Sequence, residues 1–226
     1  MIRICFTCYL MCFYTALCAQ DISIKIIPVL NGQKIELDRF YKININDSIE
    51  FINLKFYISS IQFFYNNKLT FEESSSYHLI DLSKQSTTAI SIKNIPNIKY
   101  NTIRFNLGID SVTNVSGAFG ADLDPTNGMY WTWQNGYINF KMEGKSNLST
   151  NKNAEFEFHL GGYQYPYNSL QTIKLKLKNK QYIKIGLTLN EFFKFIDLAT
   201  QKNIMSPSAS AVNLSKNIAH LFFISK

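Results

Sequence analysis

Apolar and polar residues alternate along several short stretches of the chain, which is the pattern of half-buried β-strands. In residues 101–107, Ile103, Phe105 and Leu107 share one face, and polar side chains occupy the other. Residues 154–160 repeat the pattern. These stretches predict strands that turn one face towards a core and the other towards water.

Further apolar stretches end at turn-forming residues and predict more strands. They are residues 21–30, 49–65, 77–82 and 89–95. Lysines alternate with apolar residues at 173–178, and the apolar face continues at 183–187, so a three-residue loop at 179–181 predicts an antiparallel hairpin.

Helical signals are few and lie near the end of the chain. Asn190 is a candidate N-cap for a short helix at 191–198, and residues 207–219 are a candidate second helix. Many short strands with few helices predict an all-β fold, an antiparallel β-sandwich with one or two short helices near the C-terminus.

Residues 108–144 combine both tryptophans of the chain with dense turn chemistry. Asn135-Gly136 is the strongest hairpin signal. Read as a two-residue turn, it places Trp133 opposite Ile138 and Trp131 opposite Phe140. Both indoles then share one face, where they would be core residues or part of a binding site.

Residues 1–19 resemble a secretory signal peptide, with Arg3 followed by an apolar run that is too short for a confident membrane span. All four cysteines lie in this segment. We therefore expect a cysteine-free domain at residues 20–226, located in the periplasm or secreted, with no stable membrane span after cleavage.

The charge of the chain does not indicate a nucleic-acid partner. Loss of Arg3 lowers the formal net charge from +7 to +6, and lysines supply most of it. Only Arg39 and Arg104 remain as arginines. A solvated lysine-rich surface is the simpler interpretation.

Candidate chemistry is sparse. The chain has no GxSxG, HExxH, P-loop or dinucleotide-binding pattern, so we expect no enzyme. Asp122 and Asp124 could be paired acids or ligands of a hard metal ion, but such pairs more often form turns. His159 and Glu157 share a strand face, which fits either a metal ligand pair or ordinary surface residues.

A longer pattern carries a family resemblance. Residues 105–146, FNLGIDSVTNVSGAFGADLDPTNGMYWTWQNGYINFKMEGKS, are followed by FEFHLGG at 156–162. Together they resemble the MbnP-like family of extracytoplasmic copper-binding proteins. The resemblance extends upstream to residues 55–59 and downstream to Ser206-Pro207 and residues 217–222.

The resemblance implies a sandwich-like extracytoplasmic domain. In the methanotroph branch, histidines bind copper beside a tryptophan oxidised to kynurenine, and a di-haem oxidase of the MbnH type is the implied partner. His159 matches the histidine of the family's FHLG motif. Trp131 and Trp133 match the WxW pair, either of which could be the modified residue.

One departure from the family pattern weakens the implied copper site. The segment GIDSVTN lacks a histidine that the methanotroph pattern carries, so at least one imidazole ligand is missing. Asp110, Asp122 and Asp124 are oxygen donors, and His78 could replace a ligand only if the fold brings it close. Two functions therefore stand: copper handling, or a metal-free module for binding a ligand or protein.

Overall fold

The computed structural model describes residues 19–178 and 180–226, and in this part of the chain strands dominate. The predicted signal peptide lies outside the described residues except for Ala19, and it stays a prediction. The strands are β1 (Ala19–Leu30), β2 (Gln33–Lys34), β3 (Phe40–Lys42), β4 (Ser48–Tyr65), β5 (Lys68–Glu72), β6 (Tyr77–Asp81), β7 (Ala89–Pro96), β8 (Thr102–Leu107), β9 (Tyr130–Trp131), β10 (Gly136–Ser146), β11 (Glu155–Gly161), β12 (Gln171–Lys176), β13 (Tyr182–Thr188), β14 (Asn203–Ile204) and β15 (Phe222–Ile224).

Two helices accompany the described strands, α1 (Ser111–Val115) and α2 (Ala209–Ala219). The predicted C-terminal helix is therefore confirmed as α2, which Ser208 caps by accepting the Ala211 N–H. The helix predicted at 191–198 is only a 3₁₀ turn, Phe192–Lys194. Asn190 does not cap it, because its side chain instead accepts the Asn31 N–H.

The strands form two sheets, which confirms the all-β sandwich. One sheet has the order β15-β13-β1-β2, with β7 also paired to β1. The other follows the path β12-β8-β4-β10-β11-β14, with β3, β5 and β6 paired to β4 and β9 paired to β10. Most pairings are antiparallel as predicted, but β1–β13 and β11–β14 are parallel.

The predicted lysine-rich hairpin is wrong. β12 pairs with β8 in the larger sheet, whereas β13 pairs with β1 and β15 in the smaller one. The apolar residues of both strands do face the core, but they reach it from opposite sides. The chain between them crosses from one sheet to the other, because burying both apolar faces does not require the two strands to pair.

The main core fills the space between the two sheets. Phe222 of β15 contacts Phe56 and Phe105 of the other sheet, with ring centroids 6.1 and 5.5 Å apart. Phe56 also stacks on Phe140 at 5.7 Å. Aromatic side chains from both sheets therefore interdigitate, as expected for a sandwich core.

A second, smaller apolar cluster lies on the outer face of the larger sheet. Successive strand residues point to opposite faces, so Tyr57 points away from the main core that contains Phe56. Residues 108–135 cover this face. The cluster consists of Tyr57, Leu79, Ile109, Leu123, Met129, Trp131, Tyr137 and Ile138.

An irregularity in β10 lets this one strand contribute side chains to both apolar clusters. The register between β10 and β11 shifts between Ile138 and Phe140. Residues two apart in a regular strand share a face, but here Ile138 belongs to the outer cluster and Phe140 to the main core. A bulge of this kind redirects side chains, and it lets one strand serve both clusters.

Candidate functional site

The covering segment, residues 108–135, is attached to the sheet through the amide of Asn139. The Asn139 Oδ1 accepts the Ile109 N–H at 2.9 Å, and its Nδ2 donates to Ser169 Oγ at 2.8 Å. Gly108 has φ +108°, and a Cβ there would lie 2.3 Å from Asn139 Cγ. The segment therefore begins at a glycine because no side chain fits against this amide.

A second buried amide, Asn114, fixes α1 against β10. Its Nδ2 donates to the carbonyls of Ile109 and Asp110, and its Oδ1 accepts the Tyr137 N–H at 2.8 Å. The Tyr137 hydroxyl in turn donates to the Leu123 carbonyl at 3.1 Å. Satisfied buried polar groups of this kind hold the covering segment in one arrangement.

The three candidate aspartates of this segment act as hydrogen-bond acceptors in separate places. Asp110 caps α1 by accepting the Thr113 N–H, and Asp124 accepts the Thr126 N–H in a turn. Asp122 accepts the Leu79 N–H of β6 at 2.9 Å. They are not brought together, so the turn interpretation of the DxDP sequence accounts for their geometry.

Hydrogen bonds set the ionisation of two of these carboxyls. Burial alone would raise the pKa of Asp110, but bonds from Thr113 and Tyr77 outweigh it and lower the pKa. Bonds from Thr126 lower the pKa of Asp124. Both groups are therefore ionised in the folded protein at neutral pH, and a negative charge at the start of a helical turn is favourable.

The predicted tryptophan hairpin has a different register. Trp131 pairs with Gly136, and Tyr130 pairs with Tyr137, so residues 132–135 form the turn. Gly136 is not a turn residue but lies in the strand, where a Cβ would come within 2.9 Å of the Tyr163 ring. The glycine therefore relieves crowding with this ring in the strand, and the Asn-Gly pair, taken as the turn, gave the wrong register.

In this register the two indoles touch each other, but one is buried and the other is exposed to solvent. Trp131 belongs to the outer cluster and is 7% exposed, whereas Trp133 lies in the turn and is 65% exposed. Their ring centroids are 5.7 Å apart with an interplanar angle of 41°. One indole is thus a core residue, and the other faces solution.

The buried indole packs against the strand that carries His159. Trp131 lies over Gly161 of β11, where a Cβ would lie 2.5 Å from Trp131 Cζ3. His159 is two residues from Gly161, so both share the outer face, roughly 7 Å apart along the strand. The imidazole and the indole therefore lie on the same sheet face, at strand positions two residues apart.

His159 is buried, and it is paired with a glutamate of the adjacent strand. Its Nε2 lies 2.6 Å from Glu143 Oε1, and its exposed fraction is 7%. The same Glu143 oxygen lies 3.1 Å from the ammonium of Lys141. Glu143 Oε2 accepts the Asn53 amide at 3.0 Å. The site is therefore a carboxylate held by an imidazole, an ammonium and an amide.

The electrostatics of this group favour an ionised carboxylate. Burial opposes ionisation of Glu143, but the bonds from His159 and Asn53 and the charge of Lys141 outweigh it and lower the pKa to about 2. Glu143 therefore carries a negative charge throughout the physiological range.

His159, Glu143 and Lys141 belong to a row of charged side chains. The row continues across the outer face of the larger sheet, beneath the covering segment. Lys141 is the cross-strand neighbour of Lys55, which forms an ion pair with Asp81 at 3.2 Å. The Lys55 ammonium also donates to the carbonyl of Asn127, and Lys141 donates to the carbonyl of Gly128. Carbonyl oxygens of the covering segment thus close this side of the site.

Comparisons with known proteins bear on this architecture. The sequence profile of the MbnP family matches residues 19–206.

The chain belongs to the MbnP family. Its structure is similar to that of MbnP from Methylosinus trichosporium, with a TM-score of 0.64 over 86% of this chain and 87% of the other. The two sequences are 13% identical, so this likeness shows the shared fold. No curated protein sequence matches the chain.

His78 does not join the site of this MbnP-family chain. It lies on β6, and both β4 and β10 separate β6 from β11. Alternation along β6 puts His78 on the face of Ile80, a main-core residue, opposite to the face of His159. Its Nε2 lies 2.8 Å from Glu73 Oε2 instead.

The metal-binding capacity of the site is therefore small. Among the described residues, no group of three or more histidine, cysteine, aspartate or glutamate side chains could hold a metal ion. His159 and Glu143 offer one imidazole nitrogen and one carboxylate, which are donors that Cu²⁺ accepts. The Lys141 ammonium opposes a cation there. Two donors beside an ammonium make at most a weak site for any cation.

Glu143, Lys141 and Asn53 were missed by the sequence reasoning, which paired His159 with Glu157 instead. The signal was present, because Lys141 and Glu143 alternate with the core residues of their own strand. What brings Glu143 to His159 is the register of β10 against β11, in which Lys141 is opposite His159, and alternation along each strand does not reveal that register.

Proposed function

We propose that this protein is a non-enzymatic copper-handling member of the MbnP family that acts outside the cytoplasm. The observation that carries the proposal is the buried His159–Glu143 pair, with atoms 2.6 Å apart, on the sheet face where Trp131 packs. His159 and Gly161, on which Trp131 packs, share one face of β11, and this supports a link between the pair and the WxW indoles that the family resemblance singles out.

Copper would take the position opposite Glu143 that the Nε2 hydrogen of His159 occupies, and a neutral imidazole would then carry its hydrogen on Nδ1. Metal binding requires a histidine nitrogen that carries no proton, so acid weakens binding at any such site. Two donors beside the ammonium of Lys141 give low affinity. The site therefore suits transient binding and transfer of copper rather than storage.

A di-haem oxidase of the MbnH type is the proposed partner for modifying a tryptophan. Trp133 is 65% exposed and lies within ring contact of the buried Trp131, so a docked oxidase would meet one indole that touches the other. The product proposed is kynurenine, in which the indole has lost one carbon and gained one oxygen.

The proposed location is the periplasm or the exterior. The signal-like residues 1–19 and the family assignment support it. In the part of the chain that the structure describes, no helix is long and apolar enough to cross a membrane.

Calorimetric titration of Cu²⁺ into the mature protein tests the copper proposal. We expect His159→Ala to lower the affinity by at least about tenfold, because it removes the only nitrogen donor of the pair. His78→Ala is the matched control, since it removes an imidazole from the other histidine–glutamate pair. Equal affinities for the wild type and His159→Ala would refute copper binding at this site.

The proposed tryptophan modification has its own measurement. Peptide mapping by mass spectrometry of protein from the native source would show a carbon-for-oxygen exchange at Trp131 or Trp133. Unmodified indoles in that material would remove the oxidase partner from the proposal and leave copper binding to be decided by the titration.

The second candidate is a metal-free binding module on the same scaffold. It is favoured by the contacts of the Glu143 carboxylate. Lys141 and His159 bind one of its oxygens and Asn53 binds the other, so a metal ion would have to displace them. Trp133 would then be the recognition residue. Absence of copper binding together with unmodified tryptophans is the outcome that selects this candidate.

A further inference from the structure

A large groove opens where β12 and β13 part into different sheets. Its volume is about 790 Å³, which lies within the range of small-molecule binding sites. We call it the lysine groove. Its lining residues are Lys176, Leu177, Lys178, Lys180, Tyr182, Ile183, Lys184, Ile224, Ser225 and Lys226.

The rim of the lysine groove is strongly basic. Five of its ten lining residues are lysines, and residues 171–188 contain no aspartate or glutamate. In the described ranges, none of these five lysines forms an ion pair with an aspartate or glutamate, and the Lys184 ammonium donates to the main-chain oxygen of Lys226, the last residue of the sequence, at 3.3 Å. Several lysines without carboxylate side chains beside them concentrate positive potential on a concave surface.

The floor of the groove is apolar. Leu177, Tyr182, Ile183 and Ile224 line it between the lysines, and the Tyr182 side chain is 51% exposed. Lysine stems add further apolar surface while their charged ends stay in water. A bound molecule would thus find hydrocarbon contact below and positive charge at the rim.

We propose that the lysine groove binds an anionic amphiphile, a molecule with an apolar chain and a phosphate or carboxylate at one end. The chain would lie against Leu177, Tyr182 and Ile224, and the anionic group would meet the lysines. Charge alone would suit any anion, but the apolar floor adds a requirement that inorganic anions do not meet.

This inference is independent of the copper proposal. The groove lies at β12, β13 and β15, whereas His159 lies on β11. Loss of copper binding in His159→Ala leaves the groove unchanged, and substitution of the groove lysines leaves the His159 site unchanged. Failure of either proposal is therefore visible on its own.

Calorimetry with dodecyl phosphate, below its micelle concentration, tests the proposal on the mature protein. We expect saturable binding, no measurable heat with inorganic phosphate, and an affinity roughly tenfold lower for decyl phosphate, because two methylenes fewer are buried. Dodecanoate, measured alongside, shows whether a carboxylate serves as well as a phosphate.

A triple variant locates the site. K176Q/K178Q/K180Q is expected to lower the affinity for dodecyl phosphate more than about tenfold, and added salt should weaken wild-type binding. The control K42Q/K68Q/K152Q removes the same charge from exposed positions elsewhere and should leave the affinity unchanged.

Three results would overturn the inference. The first is equal loss of affinity in both triple variants, which would make binding a net-charge effect. The second is equal affinity for inorganic phosphate, which would leave no role for the apolar floor. The third is binding to vesicles of anionic phospholipid without any binding of the monomeric amphiphile, which would make the surface a membrane contact instead.

Discussion

Two histidine–glutamate pairs lie on the larger sheet, and their surroundings differ. His159 and Glu143 are on the outer face, under the covering segment, beside Lys141 and next to the strand position on which Trp131 packs. His78 and Glu73 lie near β5 and β6, where the Ser76 hydroxyl also donates to the Glu73 carboxylate. Both pairs thus consist of an imidazole nitrogen and a carboxylate oxygen, but different groups surround them.

The two pairs have the same donor atoms, so any difference in their affinity for a cation comes from the groups around them. Around Glu143, the Lys141 ammonium competes with any cation, and the Asn53 amide binds the second carboxylate oxygen. Around Glu73, a neutral hydroxyl occupies the carboxylate. Each prediction below alters the His159–Glu143 pair or one of its neighbours and leaves the His78 pair intact.

The largest effect is expected from Gly161→Val, which removes the space under Trp131. A Cβ at residue 161 would lie 2.5 Å from the indole and 2.8 Å from the Tyr137 carbonyl, so the indole must move. We expect the free energy of unfolding to fall by about 2–3 kcal/mol, with a change in tryptophan fluorescence. Denaturant unfolding measures the first quantity.

Gly120→Ala is the control for this substitution, because nothing lies within 4 Å of a Cβ at residue 120 and its φ is −92°. It should be nearly neutral. Equal stability of Gly161→Val and the wild type would mean that the indole does not rest on β11, and the comparison between the two pairs would lose its basis.

A smaller effect is expected from Glu143→Gln, and it should depend on pH. The pKa of Glu143 is lowered to about 2 from an ordinary value of 4.5, so its contribution to stability is present above pH 4.5 and is lost as the pH falls towards 2. We expect a loss of about 1–3 kcal/mol at pH 7 that shrinks steadily below pH 4.5.

Unfolding by denaturant at a series of pH values measures this loss. Glu155→Gln removes the same charge from an exposed position of β11, and it should change stability by less than about 0.5 kcal/mol at pH 7. A loss for Glu143→Gln that stays constant from pH 7 to pH 2 would contradict the assigned ionisation.

The smallest effect is expected from Lys141→Gln on copper binding. Removing the ammonium that lies 3.1 Å from Glu143 should raise the affinity for Cu²⁺ roughly threefold to tenfold, because a competing charge is lost. Lys145→Gln, on the same strand, is the control and should leave the affinity unchanged. A decrease with Lys141→Gln would show that the lysine supports the bound state.

The sequence predicted the fold better than it predicted the pairing within it. Alternation at residues 101–107 and 154–160 correctly gave strands β8 and β11. The same alternation at 173–187 gave the right faces but the wrong partner strands, because a periodic pattern shows which face is buried and not which strand lies beside it.

The candidate site was predicted in part. His159 and both tryptophans were singled out, and the structure places His159 beside Gly161, on which Trp131 packs. His78 and the three aspartates were also candidates, and the structure brings none of them to His159. Short side chains beside turns are chosen for capping as readily as for chemistry, and sequence spacing does not distinguish the two uses.

The sequence by itself determined the β-rich class, the buried faces of the strands and the family, because these depend on local alternation and on a long contiguous motif. Only the tertiary structure decided that Glu143 and Lys141 meet at His159, that one indole is buried and the other exposed, and that lysines of two sheets rim one groove. Those arrangements depend on the register between β10 and β11, a four-residue turn and a crossing between sheets. Each joins residues through strand pairing in space, and neighbours along the chain do not encode such pairing.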